Sequence, residues 1–232
     1  MTNKYICVKI DRPITTLGGD TLTTATDNVT FFEKMTEDFH SHVLLNEDDV
    51  KLHFYADIVK PIIKKVNPYL ESTFNSERTF QKGGRADATY QNISFEYKKP
   101  NEFRTQRGID DALFGRIQNN DHGLKHYLIS NSDVSKNDLP DEVMSKLLKS
   151  YGVGFDGNEF IFARYVQTKS DEILDTSGTD LEGHEFKIPI QFSYEKTDFQ
   201  QGLFRLTLIL KQEHKLSLTK KNVLSVVNPK TK

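Results

Sequence analysis

The spacing of apolar residues predicts two amphipathic helices in the first third of the chain. The first lies between Asp27 and Val43 and is predicted from four apolar residues at helical spacing: Phe31, Phe32, Met35 and Phe39. The second is predicted to begin after Asn46, a favourable N-cap residue that is followed by three acidic residues. Pro61 is expected to kink or end this second helix, because proline has no backbone N–H to donate.

The rest of the chain predicts both β-strands and further helices. Residues 83–100 predict two strands joined by a short turn, and Asp156-Gly157-Asn158 is a strong hairpin signal. Residues 167–185 are polar and turn-rich. A further helix is predicted around Ile109, Leu113 and Ile117, and another from Pro140 to Tyr151, where Gly152 stops it. Further strands are predicted at His126–Ser130, Glu159–Val166, Phe186–Tyr194 and Leu203–Leu210. This order predicts an α/β (α+β) fold in which helices flank a central mixed β-sheet.

The predicted hairpin brings two acids to one face of the sheet. If the turn is centred on Gln91 and Asn92, facing positions place Asp87 opposite Glu96. Opposed carboxylates repel each other and destabilise a hairpin unless a cation lies between them. A divalent metal is the natural occupant, and carboxylate oxygens are the ligands that Mg²⁺ prefers.

Lys98 adds a cation to the same face, because it follows Glu96 by two residues. Its ammonium group is therefore expected near a metal-bound water or a scissile phosphate, an arrangement suited to phosphodiester hydrolysis. The expectation depends on the register, since a slip of one residue would send the two carboxylates to opposite faces.

Charge and hydropathy narrow the possible partners. The net charge of −2 gives no overall attraction to nucleic acid, so DNA must be bound by a local basic surface. Candidate residues for this surface are Arg85, Lys99, Arg104, Arg107 and Arg116. No apolar run approaches the ~18–20 residues of a membrane span, and the first residues lack the apolar stretch of a signal peptide. We therefore expect a cytoplasmic protein with no membrane partner.

Taken together, Asp87 and the tripeptide Glu96-Tyr97-Lys98 resemble the PD-(D/E)XK nuclease superfamily. The segments GGRADA and FEYKKP are similar to those of nuclease domains fused to DNA methyltransferases in single-chain restriction and phage-defence enzymes, and the resemblance covers roughly Asn46 to Val166. It implies a restriction-endonuclease-like fold and hydrolysis of double-stranded DNA with Mg²⁺, for which Mn²⁺ can substitute.

The resemblance also implies roles for individual residues. Asp87 and Glu96 match the metal-binding acids and Lys98 the catalytic lysine, while Tyr97 would offer its backbone carbonyl to the metal. A helical acid is expected upstream, and Glu47 is our choice among the candidates Glu47, Asp48, Asp49 and Asp57. A glutamine in the helix after the lysine strand is expected to be Gln118 or Gln106.

The resemblance divides the chain and leaves alternatives open. Residues 1–166 are predicted to form the nuclease core with its N-terminal helices, and residues 167–232 a C-terminal β extension without an assigned role. Methyltransferase or helicase domains of a longer chain are possible partners. The alternative functions are a catalytically silent nuclease-like module that binds nucleic acid or protein, and a nuclease that acts on RNA or single strands.

Overall fold

The computed structural model describes residues 25–66, 68, 73–79, 85–116 and 122–211. The chain divides into two compact units, Met1–His42 and Val43–Lys232. Within the first unit, helix α1 spans Ala25–His40 and contains the four apolar residues that predicted it. In the described ranges, no helix is both long enough and apolar enough to cross a membrane.

The second unit opens with a helical run whose start was predicted correctly. Helix α2 (Glu47–His53) begins with a capping box, in which Asn46 Oδ1 accepts from the Asp49 backbone N–H at 2.9 Å and the Asp49 carboxylate accepts from the Asn46 N–H at 3.3 Å. These bonds satisfy N–H groups that the first turn of a helix leaves without partners.

Pro61 does not end this helix, so that part of the prediction is wrong. A π-helical segment, Phe54–Val59, follows α2, and helix α3 continues over Lys60–Val66. The Lys60 N–H donates to the carbonyl of Tyr55, five residues back. Proline is tolerated in a first helical turn, and Pro61 is the second residue of α3, directly after the π segment.

The six strands of the described residues form one mixed sheet, as predicted, and they follow one another across it in chain order. Neighbouring strands are antiparallel except β3 and β4, which are parallel. The strands are β1 (Phe74–Thr79), β2 (Arg85–Tyr90), β3 (Ile93–Tyr97), β4 (Tyr151–Phe155), β5 (Glu159–Ile173) and β6 (Lys187–Asp198). The parallel step is bridged by a 3₁₀ turn (Glu102–Arg104) and by α4 (Gln106–Phe114), α5 (Leu124–Asn131) and α6 (Pro140–Leu147). Helix α7, residues 199–211, follows β6.

Side chains on the two faces of the sheet build two cores. On one face the Phe54 ring lies 4.3 Å from that of Phe155 and 5.7 Å from that of Tyr97. On the other face Ile161 belongs to a buried cluster with residues of α4, α5 and α6, among them Leu113 and Leu128. The alternation of successive strand residues therefore separates an aromatic core under the π segment from an aliphatic core under the later helices.

Two predicted strands are helices. Residues 126–130 lie in α5, where six of the eight residues are buried, so that the apolar run has no polar face to reveal its period. Residues 203–210 lie in α7, and its buried positions Leu203, Leu206 and Leu210 are spaced three and four apart. That spacing indicates a helix, but a short apolar run fits a helix and a strand equally well.

Other differences are smaller. Gly152 lies inside β4, where it pairs with Ala163, and α6 already ends at Leu147. Strand β1 was not predicted because its six residues are mostly exposed and polar. Ile117 lies outside the described residues. Strand β5 runs across residue 166, so the predicted boundary between core and extension falls inside a strand.

Candidate functional site

The hairpin of β2 and β3 has the register that the sequence predicted near its turn. Tyr90 pairs with Ile93, and Ala88 pairs with Phe95. The paired positions end there, and the Asp87 carboxylate instead accepts a hydrogen bond of 2.7 Å from the Tyr97 backbone N–H. Asp87 is thus fixed to β3 through its side chain, just where the backbone ladder stops.

Glu96 and Lys98 form the closest charged contact of the site. The Lys98 Nζ lies 2.6 Å from Glu96 Oε1, and their side chains are only 10% and 6% exposed. The parallel neighbour β4 holds this end of β3, because the Lys98 backbone N–H donates to the carbonyl of Phe155 at 3.0 Å. The buried pair is therefore positioned by main-chain contacts on a central strand.

Glu47 reaches the same site from the first turn of α2. Burial raises the pKa of Glu47, and the charges of Lys98 and Asp87 act on it in opposite directions. Two of the other candidate helical acids are engaged elsewhere, since Asp49 closes the capping box and Asp57 lies 3.6 Å from His53. The third, Asp48, is exposed. Glu47 is the candidate on which the charges of both Asp87 and Lys98 act, and its role as the helical metal-binding acid stays a prediction.

Burial disfavours the charged forms of the three acids at this site. Burial raises the pKa of Asp87, against a lowering by its hydrogen bond from Tyr97 and by Lys51. Burial and the neighbouring Asp87 raise the pKa of Glu96 well above its usual value. For Lys98, burial lowers the pKa, but the surrounding carboxylates, Glu96 foremost, outweigh it and hold the pKa above its usual value. The site thus holds a protonated lysine and three carboxyl groups whose charged forms are destabilised. An added cation would stabilise those charged carboxylates.

Lys51 is a member of the site that sequence reasoning missed. Its Nζ lies 3.9 Å from Asp87 Oδ1 and 3.1 Å from Glu77 Oε1. The available signal was its position four residues after Glu47, which puts both side chains on the same face of α2. Lys51 partly neutralises Asp87 and ties α2 to strand β1.

The predicted nucleic-acid-binding residues fall into two groups. Arg85 lies 3.6 Å from Glu77, and Arg116 lies 2.8 Å from Asp111 and 3.8 Å from Glu102. The other three are exposed on the turn and helix that follow β3: Lys99, Arg104 and Arg107. Binding of a phosphate backbone by these residues stays a prediction.

Only one of the two candidate glutamines, Gln106, lies within the described residues. Gln118 lies outside the described residues. The Gln106 side chain is exposed and donates to Asp110 Oδ1 at 2.8 Å, one turn further along α4. The glutamine role that the resemblance implies therefore stays a prediction.

Comparisons with protein-family models, with curated proteins and with solved structures find no significant match to this chain.

Proposed function

We propose that this protein is a Mg²⁺-dependent endonuclease that hydrolyses DNA phosphodiester bonds, with a restriction-endonuclease-like fold, and that it serves in restriction or phage defence. The observation that carries the proposal is the convergence of one buried acid, Glu96, and two partly buried acids, Asp87 and Glu47, on one lysine. Asp87, Glu96 and Glu47 come from two strands and a helix, and the pKa of each carboxyl is raised, chiefly by burial.

The residues present suit a divalent cation. Asp87 and Glu47 can offer carboxylate oxygens, Glu96 can do so once its contact with Lys98 loosens, and Tyr97 can add its backbone carbonyl. When bound, Mg²⁺ would supply a water of lowered pKa and polarise the phosphate. Mn²⁺ is expected to substitute, because it accepts the same oxygen ligands.

Lys98 has a defined part in this proposal. Its raised pKa keeps the ammonium group protonated at neutral pH. A fixed positive charge beside the acids can hold a phosphate oxygen and offset the negative charge that develops as the phosphodiester bond breaks. The exposed residues Lys99, Arg104 and Arg107 would hold the flanking backbone without reading its bases.

One observation favours the alternative of a catalytically silent binding module. Glu96 is already paired with Lys98, and Asp87 lies within 3.9 Å of Lys51, so both hairpin acids have cationic partners without a metal. In that case the acids and lysines would hold the end of the hairpin together, and exposed cations would bind a nucleic acid without cutting it.

A plasmid assay separates the two functions. Supercoiled DNA is incubated with the protein in Mg²⁺, in Mn²⁺ and in EDTA, beside the variants Asp87→Ala and Lys98→Ala. Matched controls are Asp171→Ala and Lys149→Ala, which remove exposed residues of the same types. We expect metal-dependent nicking or linearisation that only the first two variants lose. DNA retained in a gel shift but never cut in either metal would favour the binding module.

A further inference from the structure

A pocket of about 400 Å³ lies between α2, the π segment and strands β1 to β3. Pockets that hold small molecules are typically ~300–1,000 Å³. Its apolar and aromatic lining consists of Leu52, Tyr55, Phe74, Ala88 and Tyr97. The rings of Tyr55 and Phe74 are stacked at 4.4 Å, which makes a preformed aromatic wall.

Tyr97, one of the lining residues, carries an unused polar group. The Tyr97 side chain is fully buried, and within the described ranges its hydroxyl has no hydrogen-bond partner. An unsatisfied buried hydroxyl destabilises a fold, so such groups are uncommon unless a ligand or water completes them. The ring itself is held in place by Phe54, 5.7 Å away.

The same residues connect the pocket to the acidic site. Tyr97 donates its backbone N–H to Asp87, and Lys51, which lines the pocket, lies 3.9 Å from the same carboxylate. A ligand in the pocket would therefore lie beside the group that we propose to bind the metal.

The charges of the lining favour a neutral ligand with a polar edge. Asp48 and Glu77 also line the pocket, and Lys51 already pairs with Glu77 at 3.1 Å. Because the lining carries two acids and one lysine, a negatively charged phosphate is disfavoured inside the pocket. A planar heterocycle fits better, because its exocyclic amines can donate to the carboxylates and its carbonyl or ring nitrogen can accept from lysine or tyrosine.

We propose that this pocket binds a nucleobase, stacked on its aromatic wall and hydrogen-bonded to the Tyr97 hydroxyl. Aromatic side chains commonly serve as stacking platforms for unpaired bases. Two sources could supply the base: a free nucleoside, or a base unstacked from the DNA strand next to the phosphate held at the acids. The second source rests on the proposed function, whereas the pocket itself does not.

Three variants test the pocket. Tyr97→Phe removes only the hydroxyl and is expected to leave the melting temperature unchanged or raised, because the hydroxyl has no partner to lose. Ser76→Trp places a large ring at an exposed position of β1 that lines the pocket. Asn75→Trp is the matched control, since Asn75 is equally exposed on the same strand and its side chain does not line the pocket.

Binding is measured in EDTA, so that no strand is cut. Adenosine, guanosine, cytidine and thymidine are titrated calorimetrically, and a labelled single-stranded oligonucleotide is compared by fluorescence anisotropy with the same strand carrying abasic positions. We expect Tyr97→Phe to weaken base-dependent binding by about fivefold, as for one hydrogen bond, and Ser76→Trp by about tenfold or more. Asn75→Trp should stay within about twofold of the unmodified protein.

The outcomes keep the two proposals apart. Equal binding by the unmodified protein, Tyr97→Phe and Ser76→Trp overturns the pocket, even if plasmid cutting confirms the nuclease. Pocket-dependent binding of free nucleosides, without base-dependent binding of the oligonucleotide, supports the pocket and overturns the strand as the source of the base, whether or not plasmid is cut. Pocket-dependent binding of the intact oligonucleotide, but not of the abasic strand or free nucleosides, supports the strand.

Discussion

The ammonium group of Lys98 lies 2.6 Å from the carboxylate of Glu96, and both side chains are almost completely buried. Removing one member of a buried ion pair leaves the other charge without compensation, which typically costs ~3–5 kcal/mol. Replacing both members with uncharged residues is far less costly, because no charge then remains in the interior. This pair therefore links stability to any function of the site.

The first prediction uses that asymmetry. We expect Lys98→Met to lower the free energy of unfolding by ~3 kcal/mol, and the double variant Lys98→Met, Glu96→Gln to recover most of the loss. Urea denaturation of the four proteins of the cycle measures both changes. Losses of the two single variants that add up in the double variant would show that the pair is not coupled in solution.

The charged Asp87 carboxylate should lower the free energy of unfolding when no metal is bound. We expect Asp87→Asn in EDTA at pH 8 to raise the free energy of unfolding by ~1 kcal/mol, because the amide keeps an acceptor for the Tyr97 N–H and carries no charge. Thermal unfolding provides the measurement. A lower melting temperature for Asp87→Asn would mean that the carboxylate is favourably paired.

Asp87→Asn should also remove a pH dependence of the free energy of unfolding. Burial raises the pKa of Asp87 in the folded protein. The folded state therefore binds the proton more tightly than the unfolded state, and the associated stability is present below the unfolded pKa and lost as the pH rises through the folded pKa. The advantage of Asp87→Asn should accordingly shrink as the pH is lowered from 8 towards the unfolded pKa of aspartate, about 4. An advantage that stays constant with pH would rule out this origin.

Mg²⁺ is expected to stabilise the folded protein. A ligand that binds only the folded state adds ~2.7 kcal/mol at a hundredfold excess over its Kd. A rise in melting temperature with Mg²⁺ should therefore be seen for the unmodified protein and for the control Asp171→Ala, and should be lost in Asp87→Ala. Identical rises in all three proteins would indicate metal binding elsewhere.

The aromatic core makes a prediction that does not depend on function. Phe54 is fully buried in the π segment and touches rings from three strands. We expect Phe54→Ala to lower the free energy of unfolding by ~3–5 kcal/mol. The control Phe114→Ala removes a phenylalanine that is 40% exposed and should cost clearly less. Chemical denaturation of the two variants tests the difference.

Local sequence features were sufficient where neighbouring residues decide the structure. The capping box at Asn46 and the register of Tyr90 with Ile93 follow from chemistry within a few residues. The roles of Asp87, Glu96 and Lys98 were inferred from that register and from a family resemblance, and they stay predictions for the assays above.

Sequence alone could not distinguish strand from helix in the short apolar runs of α5 and α7. A run of this length fits either element until its neighbours decide which of its faces are buried. The exposed strand β1 carries no apolar alternation, and it is a strand because β2 pairs with it.

What the sequence determined by itself is the hairpin, its register, and the set of acids and lysine that lie close together along the chain. Only the tertiary structure decided that Glu47 and Lys51 of α2 meet Asp87, that the Asp87 carboxylate takes the place of a ladder acceptor, and that Tyr97 keeps a buried hydroxyl beside a pocket. The physical reason is the sequence separation of the interacting residues. Hydrogen bonds and side-chain alternation within a few residues depend on the local sequence, whereas burial and charge coupling depend on which distant segments pack together.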